Sequence, residues 1–225
     1  MKIRWLGQAG LLFETGQTTI MVDPYLSDSA AKINPRSFRR MPVDESIFRI
    51  HPDILIFTHC HIDHYDPETA ERFLASDRPI TVLCPTSVWD KVRRKGDAHN
   101  YVEFNAMTQW STRDVCIAAV PTAHSDHWGI GADILAGGKH YYVTGDTLFS
   151  LSVLAAAPKA PEAVFLPING VGNNMNEIDA ARFAAAIGAK HTVALHFGMF
   201  DNLDPAGFVC ENRIIPEIYK EVALP

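Results

Sequence analysis

The opening residues fall at once into short apolar stretches broken by glycine. Residues 3–6, 11–15 and 18–23 are separated by Gly7, Gly10 and the Gly16-Gln17 pair, and read as antiparallel strands. Residues 24–52 lose that pattern and carry Pro24, Pro35, Pro42 and Pro52, so they form a long irregular stretch of the kind that is often functional or hides a short helix. An apolar strand follows at 53–58. Asp66-Pro67 then reads as an N-cap and first helical turn, with Ala70, Phe73 and Leu74 as the inward face. A strand at 80–84 and a helix at 87–95, closed by Gly96, come next. Strands are expected at 115–120, 130–136 and 140–144, a helix at 148–157 stopped by Pro158, and a strand at 163–168. Asn176 caps a last helix ending near Gly188, and the final strand covers 192–197. Strands come first and helices punctuate them later, which predicts an α/β sandwich with helices covering the sheets, one domain over 1–225.

Composition narrows the class without naming a chemistry. Hydrophobic residues make up 47% and charged residues 20% of the chain, as in ordinary globular proteins. The net charge of −6 and the lack of a long basic stripe argue against a nucleic-acid partner. Two short basic clusters stand out, Arg36/Arg39/Arg40 and Lys91/Arg93/Arg94/Lys95, the second as the exposed face of a helix. Cys60, Cys84, Cys116 and Cys210 are widely spaced, with no C-x-x-C pair, so neither a disulfide framework nor a zinc knuckle is expected. No apolar signal region or membrane-length segment is visible, and the expectation is a cytoplasmic protein acting on a small molecule away from membranes. A homo-oligomer is compatible with the chain.

The chemistry is concentrated in Thr58-His59-Cys60-His61-Ile62-Asp63-His64, directly after an apolar strand. In extended chain His59 and His61 point to one side and can grip one ion together, with Cys60 turned away beneath them. Asp63 and His64, after a turn, are free to face a second ion. Three more candidates sit at strand ends: His124, Asp146 in Thr144-Gly145-Asp146-Thr147, and His196. Together these supply five imidazoles and two carboxylates, a stock suited to two neighbouring divalent ions, whether zinc, manganese or iron.

His59-Cys60-His61-Ile62-Asp63-His64 resembles the H-x-H-x-D-H signature of the metallo-β-lactamase superfamily, and His124, Asp146 and His196 stand in that family's order. Leu166-Pro167-Ile168-Asn169-Gly170, Gly172-Asn173-Asn174-Met175-Asn176 and His196-Phe197-Gly198-Met199-Phe200 resemble its L-ascorbate-6-phosphate lactonase branch. The resemblance implies a four-layer αββα sandwich, one ion on His59, His61 and His124, the other on Asp63, His64 and His196, and Asp146 bridging. The lactonase branch favours manganese. Two cations sharing a water would make hydroxide available near neutral pH, with Asp63 orienting it or taking its proton. The expected activity is therefore a metal-dependent hydrolase opening a small lactone, phosphorylated or not; a lipid or nucleotide phosphodiesterase is the alternative. His61 stands where the di-iron branch of the superfamily has glutamate, which argues against a redox role.

Four further sets of residues are candidates around that centre. Asp23 could hold the far nitrogen of a ligand histidine, or simply form an Asp-Pro turn. His127 could donate to a substrate oxygen. Arg36, with Arg39 and Arg40, could clamp a phosphate if the 24–52 stretch folds over the site. Asn173 and Asn174 are candidates for lining the pocket, and Asn176 for lining it or capping a helix.

Overall fold

A computed structural model describes residues 1–225. Its first sheet is ordered along the chain: β1 (Lys2–Gly7), β2 (Gly10–Glu14), β3 (Thr19–Val22), β4 (Ile54–Ile56), β5 (Thr81–Cys84) and β6 (Asn100–Glu103). The first three pair antiparallel through tight turns, and β3 to β6 pair in parallel. The second sheet runs from β7 (Gln109–Ser111) through β8 (Val115–Pro121), β9 (Ile130–Ala136), β10 (Lys139–Val143), β11 (Ala163–Pro167) and β12 (Thr192–Leu195) to β13 (Arg213–Ile214). It is antiparallel from β7 to β10 and parallel from β10 to β13.

Alternation along each strand decides the layers, because successive side chains leave opposite faces. Leu11, Phe13, Ile20 and Val22 face the second sheet and pack with Ile117, Ile134, Phe165 and Val193. Their neighbours Leu12 and Met21 face outward onto α2 (Pro67–Leu74) and α3 (Thr86–Val92), meeting Phe73, Leu74, Val88 and Val92. The second sheet is covered by α4 (Leu151–Ala156) and α5 (Glu177–Ile187), through Val153, Phe183 and Ile187. The result is helix, sheet, sheet, helix, an α/β sandwich as the pattern predicted.

The 24–52 stretch does hold a short helix, α1 (Ser29–Ile33), together with a 3-10 turn (Glu45–Arg49). Two features differ from the expectation. The third helix is shorter than 87–95 and α4 begins only at Leu151, with Ser150 at its N-cap. Strands β6, β7 and β13 are additions. No helix is long and apolar enough to cross a membrane.

Pairing fixes direction. β1 and β3 run parallel to each other through the shared β2, and β8 runs parallel to β10 through β9. The chain therefore leaves β1, β3 and β4 at one edge of the first sheet, and β8, β10, β11 and β12 at one edge of the second. The residues next after those strand ends are the ones that carry the chemistry, as in other sheets that bind ligands beyond their carboxyl ends.

Candidate metal centre

Two groups of donor atoms converge where the sheet edges meet: His59, His61, His124 and Asp146, and beside them Asp63, His64 and His196. In the first, His59 Nε2 lies 3.0 Å from His61 Nδ1, which lies 3.1 Å from His124 Nε2. In the second, His196 Nε2 lies 3.4 Å from His64 Nε2 and 3.3 Å from Asp63 Oδ2. Donors arranged tetrahedrally at about 2.0–2.1 Å from zinc stand about 3.3 Å apart. The spacing is that of a coordination sphere, and the mixed nitrogen and oxygen donors suit zinc, manganese or iron. The residues present fit two divalent ions.

Asp146 lies between the groups. Its Oδ1 is 3.3 Å from His64 Nε2, while Oδ2 is 3.3 Å from His196 Nε2 and 4.0 Å from both His59 Nε2 and His124 Nε2. It is placed there by Gly145, whose backbone is left-handed at φ 63° and passes so close to β9 that an added Cβ would stand 2.6 Å from the Ile130 carbonyl.

Each histidine turns one ring nitrogen to the centre and finds a partner for the other, an arrangement that fixes tautomer and orientation. Buried Asp23 accepts from His64 Nδ1 at 2.8 Å and from the Thr58 hydroxyl and amide at 2.5 and 2.7 Å. The Thr58 oxygen in turn lies 3.0 Å from His59 Nδ1, so Asp23 holds one histidine of each group. His124 Nδ1 faces the Asn173 carbonyl at 3.3 Å, and His61 Nε2 faces the Ser125 hydroxyl at 3.3 Å. His196 Nδ1 stands 3.0 Å from the Asn169 side-chain amide, whose oxygen has no other partner and accepts from Nδ1–H when the amide is turned over. Loop 58–64 is not extended, as expected, but bent; its histidines converge because His61 uses Nδ1 and His59 uses Nε2. Asp126 ties the loop down, accepting from the Cys60 amide and the Ser87 hydroxyl.

The electrostatics are those of a site made for cations. Burial would depress His196, but Asp146 and Asp63 outweigh it and hold the imidazole up at about 10. Burial opposes charge on His64 too, and the Asp146, Asp63 and Asp23 carboxylates raise it well above its ordinary value. Against the same burial, positive His64 and His196 hold Asp63 and Asp146 below the carboxylate range. His59 and His124 are pushed down by burial and stay neutral. Burial, with Asp126 nearby, raises the Cys60 thiol, which is half-buried and joins neither donor group.

Beside the centre opens a cleft of about 460 Å³, lined by Asp63, Asp146 and His196 on its floor and by Gln8, Ser37, Ser125, Asn169, Val171, Asn173, Asn174, Phe200 and Asp201 around its walls. Asn173 and Asn174 thus lie where the sequence reading put them, and the Asn174 amide donates to Asp146 Oδ2 at 2.9 Å. Asn176 does not line the cleft; it caps α5 through the Asp179 amide. His127 and the arginines lie outside it as well. Arg39 is committed to the Tyr25 carbonyl and the Tyr219 hydroxyl, Arg40 to Asn202, and Arg36 is exposed. Gln8 and Asn169 were not among the sequence candidates. The signal for Gln8 is faint: a lone polar residue in a Gly-x-x-Gly turn between two apolar strands.

A family model described as a β-lactamase superfamily domain matches residues 18–197. A metal-dependent hydrolase from Oenococcus oeni is 27% identical across 98% of this chain and 99% of its own length. Among solved structures, a metallo-hydrolase from Ignicoccus hospitalis aligns with a TM-score of 0.76 at 20% identity, covering 98% of this chain and 97% of that one. Isothiocyanate hydrolase from Delia radicum gut bacteria gives 0.77 at 16% identity, with 99% of both chains covered. At such identities the two structures speak for the fold.

Proposed function

Because the chain belongs to the β-lactamase superfamily and is a metal-dependent hydrolase, we propose that it opens a small, hydroxyl-bearing lactone that carries no phosphate. The observation that carries the hydrolytic reading is Asp146, whose carboxylate reaches both donor groups. His59, His61, His124 and Asp146 would hold one ion, and Asp63, His64 and His196 the other, sharing Asp146. Ions bound there supply Lewis acidity and a water acidified towards neutral pH.

The chain's own residues do the remainder. The Asp63 carboxylate, fixed by a hydrogen bond from Gln8, takes the proton of the attacking water and returns it to the ring oxygen when the acyl C–O bond breaks. The product is a hydroxy acid. The Asn174 amide keeps Asp146 aligned, and Asn169 holds the His196 ring. Ser37, Ser125 and Asn173 offer hydrogen bonds to substrate hydroxyls across the cleft.

The walls favour an uncharged substrate over L-ascorbate 6-phosphate or a phosphodiester. No lysine or arginine lines the cleft, and Asp201 adds a carboxylate to it. A phosphate remote from the ions would meet no cation there, whereas phosphate sites ordinarily offer arginine, lysine or a helix N-terminus. The test is ring opening by manganese-loaded protein of an aldono-1,4-lactone, L-ascorbate 6-phosphate and bis(p-nitrophenyl) phosphate, with Asp63→Asn as the blank. Turnover highest on the aldonolactone, and absent in the variant, is expected. Turnover confined to the diester would sink the lactonase reading, and a preference for the phosphorylated lactone would sink the uncharged one.

A further inference from the structure

Gln8 lies ahead of the segment matched by the family model, in the turn between β1 and β2, and its side chain reaches the centre from there. It is 2% exposed. Its Nε2 donates to Asp63 Oδ2 at 2.8 Å and stands 3.1 Å from both ring nitrogens of His196. The amide orientation is settled by chemistry: an ionised carboxylate only accepts, so the atom facing Asp63 is the N–H.

The backbone holds the side chain there by force. Gln8 is left-handed at φ 51°, an uncommon conformation for a residue with a Cβ. Its carbonyl accepts from the His196 amide at 3.1 Å and from the Trp5 indole at 3.0 Å. On the other side, Gly7 takes φ 95°, a backbone conformation in which any side chain would be strained, so glycine sets the turn that presents Gln8. One residue therefore grips His196 of the second sheet through its backbone and Asp63 of the first through its side chain. Strain of this kind persists only where surrounding contacts over-determine it, and such positions cluster at functional sites.

We infer that Gln8 is a positioning residue for the Asp63–His64–His196 group, its side-chain N–H fixing Asp63 so that this group binds its ion. The inference rests on the reading of those three residues as ligands. Asp63 is the least buried member of its group and comes from a bent loop, so without that donor only the nearby His196 and His64 rings are left to orient its carboxylate. The Gln8 side chain makes its hydrogen bonds to Asp63 and His196 and none to His59, His61 or His124, so their group should be indifferent to its loss.

The test is stepwise cobalt(II) titration of metal-free full-length protein, followed by the visible absorption of the bound ion, and needs no substrate. Wild-type protein is expected to take up two ions. Gln8→Met, which keeps length and removes the donor, should bind the first ion normally and the second about 10–100-fold more weakly. In an Asp63→Ala background the same change should have no further effect on the second step, as a double-mutant cycle requires if Gln8 acts through Asp63. Gln8→His, which restores an N–H, should recover most of the lost affinity and keeps the question answerable if Gln8→Met does not fold. A folded Gln8→Met variant with both steps unchanged, or with both weakened alike, overturns the inference, as does a folded Gln8→His variant with the second step lost. Wild-type protein that binds no cobalt would overturn the ligand reading itself.

Discussion

Asp146, buried, and Asp63, half-buried, are carboxylates of one centre, yet their loss should differ in kind. Asp146 faces donors of both groups, so Asp146→Ala is expected to release both ions, measured as metal per chain after gel filtration. Asp63 belongs to one group and handles a proton in the proposed reaction. Asp63→Asn should keep at least one ion while turnover falls about 10²–10⁴-fold, the usual size of a general acid–base contribution. Full activity in either variant would refute its role. Gly145 shows how backbone alone sets such a site. Gly145→Ala combines a left-handed φ with a Cβ 2.6 Å from a carbonyl, and should cost about 1–3 kcal/mol along with metal affinity, read by thermal melting and cobalt uptake.

The loop that carries His59 to His64 is anchored at its far end by a helix cap. Asp66 accepts from the Glu68 and Thr69 amides at 3.1 and 3.3 Å, and the Thr69 hydroxyl takes the Leu26 amide at 2.9 Å. Asp66→Ala should cost about 1 kcal/mol, lowering the melting temperature by about 2–4 °C without stripping the ions. Unchanged melting would mean that the cap contributes nothing. This cap was legible in the sequence because Asp-Pro before an amphipathic run has one mechanical meaning. The central strands were legible for the same reason. Strands β6, β7 and β13 were not, since their half-exposed residues at sheet edges or in a two-residue bridge carry no apolar pattern. The short helix at Ser29–Ile33 was hidden by its length and by an N-cap that makes no side-chain hydrogen bond. At the centre, the clustered and strand-end ligands could be read because histidine and aspartate rarely follow apolar strands without cause. Gln8 could not, because 188 residues separate it from His196 and only the closing of the two sheets brings them together.

That closure couples the whole molecule to charge at the centre. The first sheet brings Gln8, Asp23 and His59 to His64, and the second brings His124, Asp146, Asn169 and His196, so the sandwich cannot close without assembling buried carboxylates and imidazoles. In metal-free protein His196, held up at about 10, contributes stability that is fully present below its ordinary value near 6.5 and lost as pH rises through about 10. Asp63 and Asp146, held below the carboxylate range, contribute stability present above about pH 4 and lost on acidification. From this centre, metal-free stability is therefore greatest between about pH 4 and 6.5 and declines on the alkaline side. Divalent ions take the place of those protons, since ligand histidines must be neutral, and binding at pH 7 should release about two protons, from His64 and His196. The melting temperature gained on loading with manganese should accordingly widen from pH 6.5 to 10. Thermal melts with chelator and with manganese, beside proton release in weakly buffered solution, measure both. A gain that is flat across that range, with no proton released, would mean that the two histidines are already neutral in the metal-free chain and that Asp63 and Asp146 do not keep a proton on them.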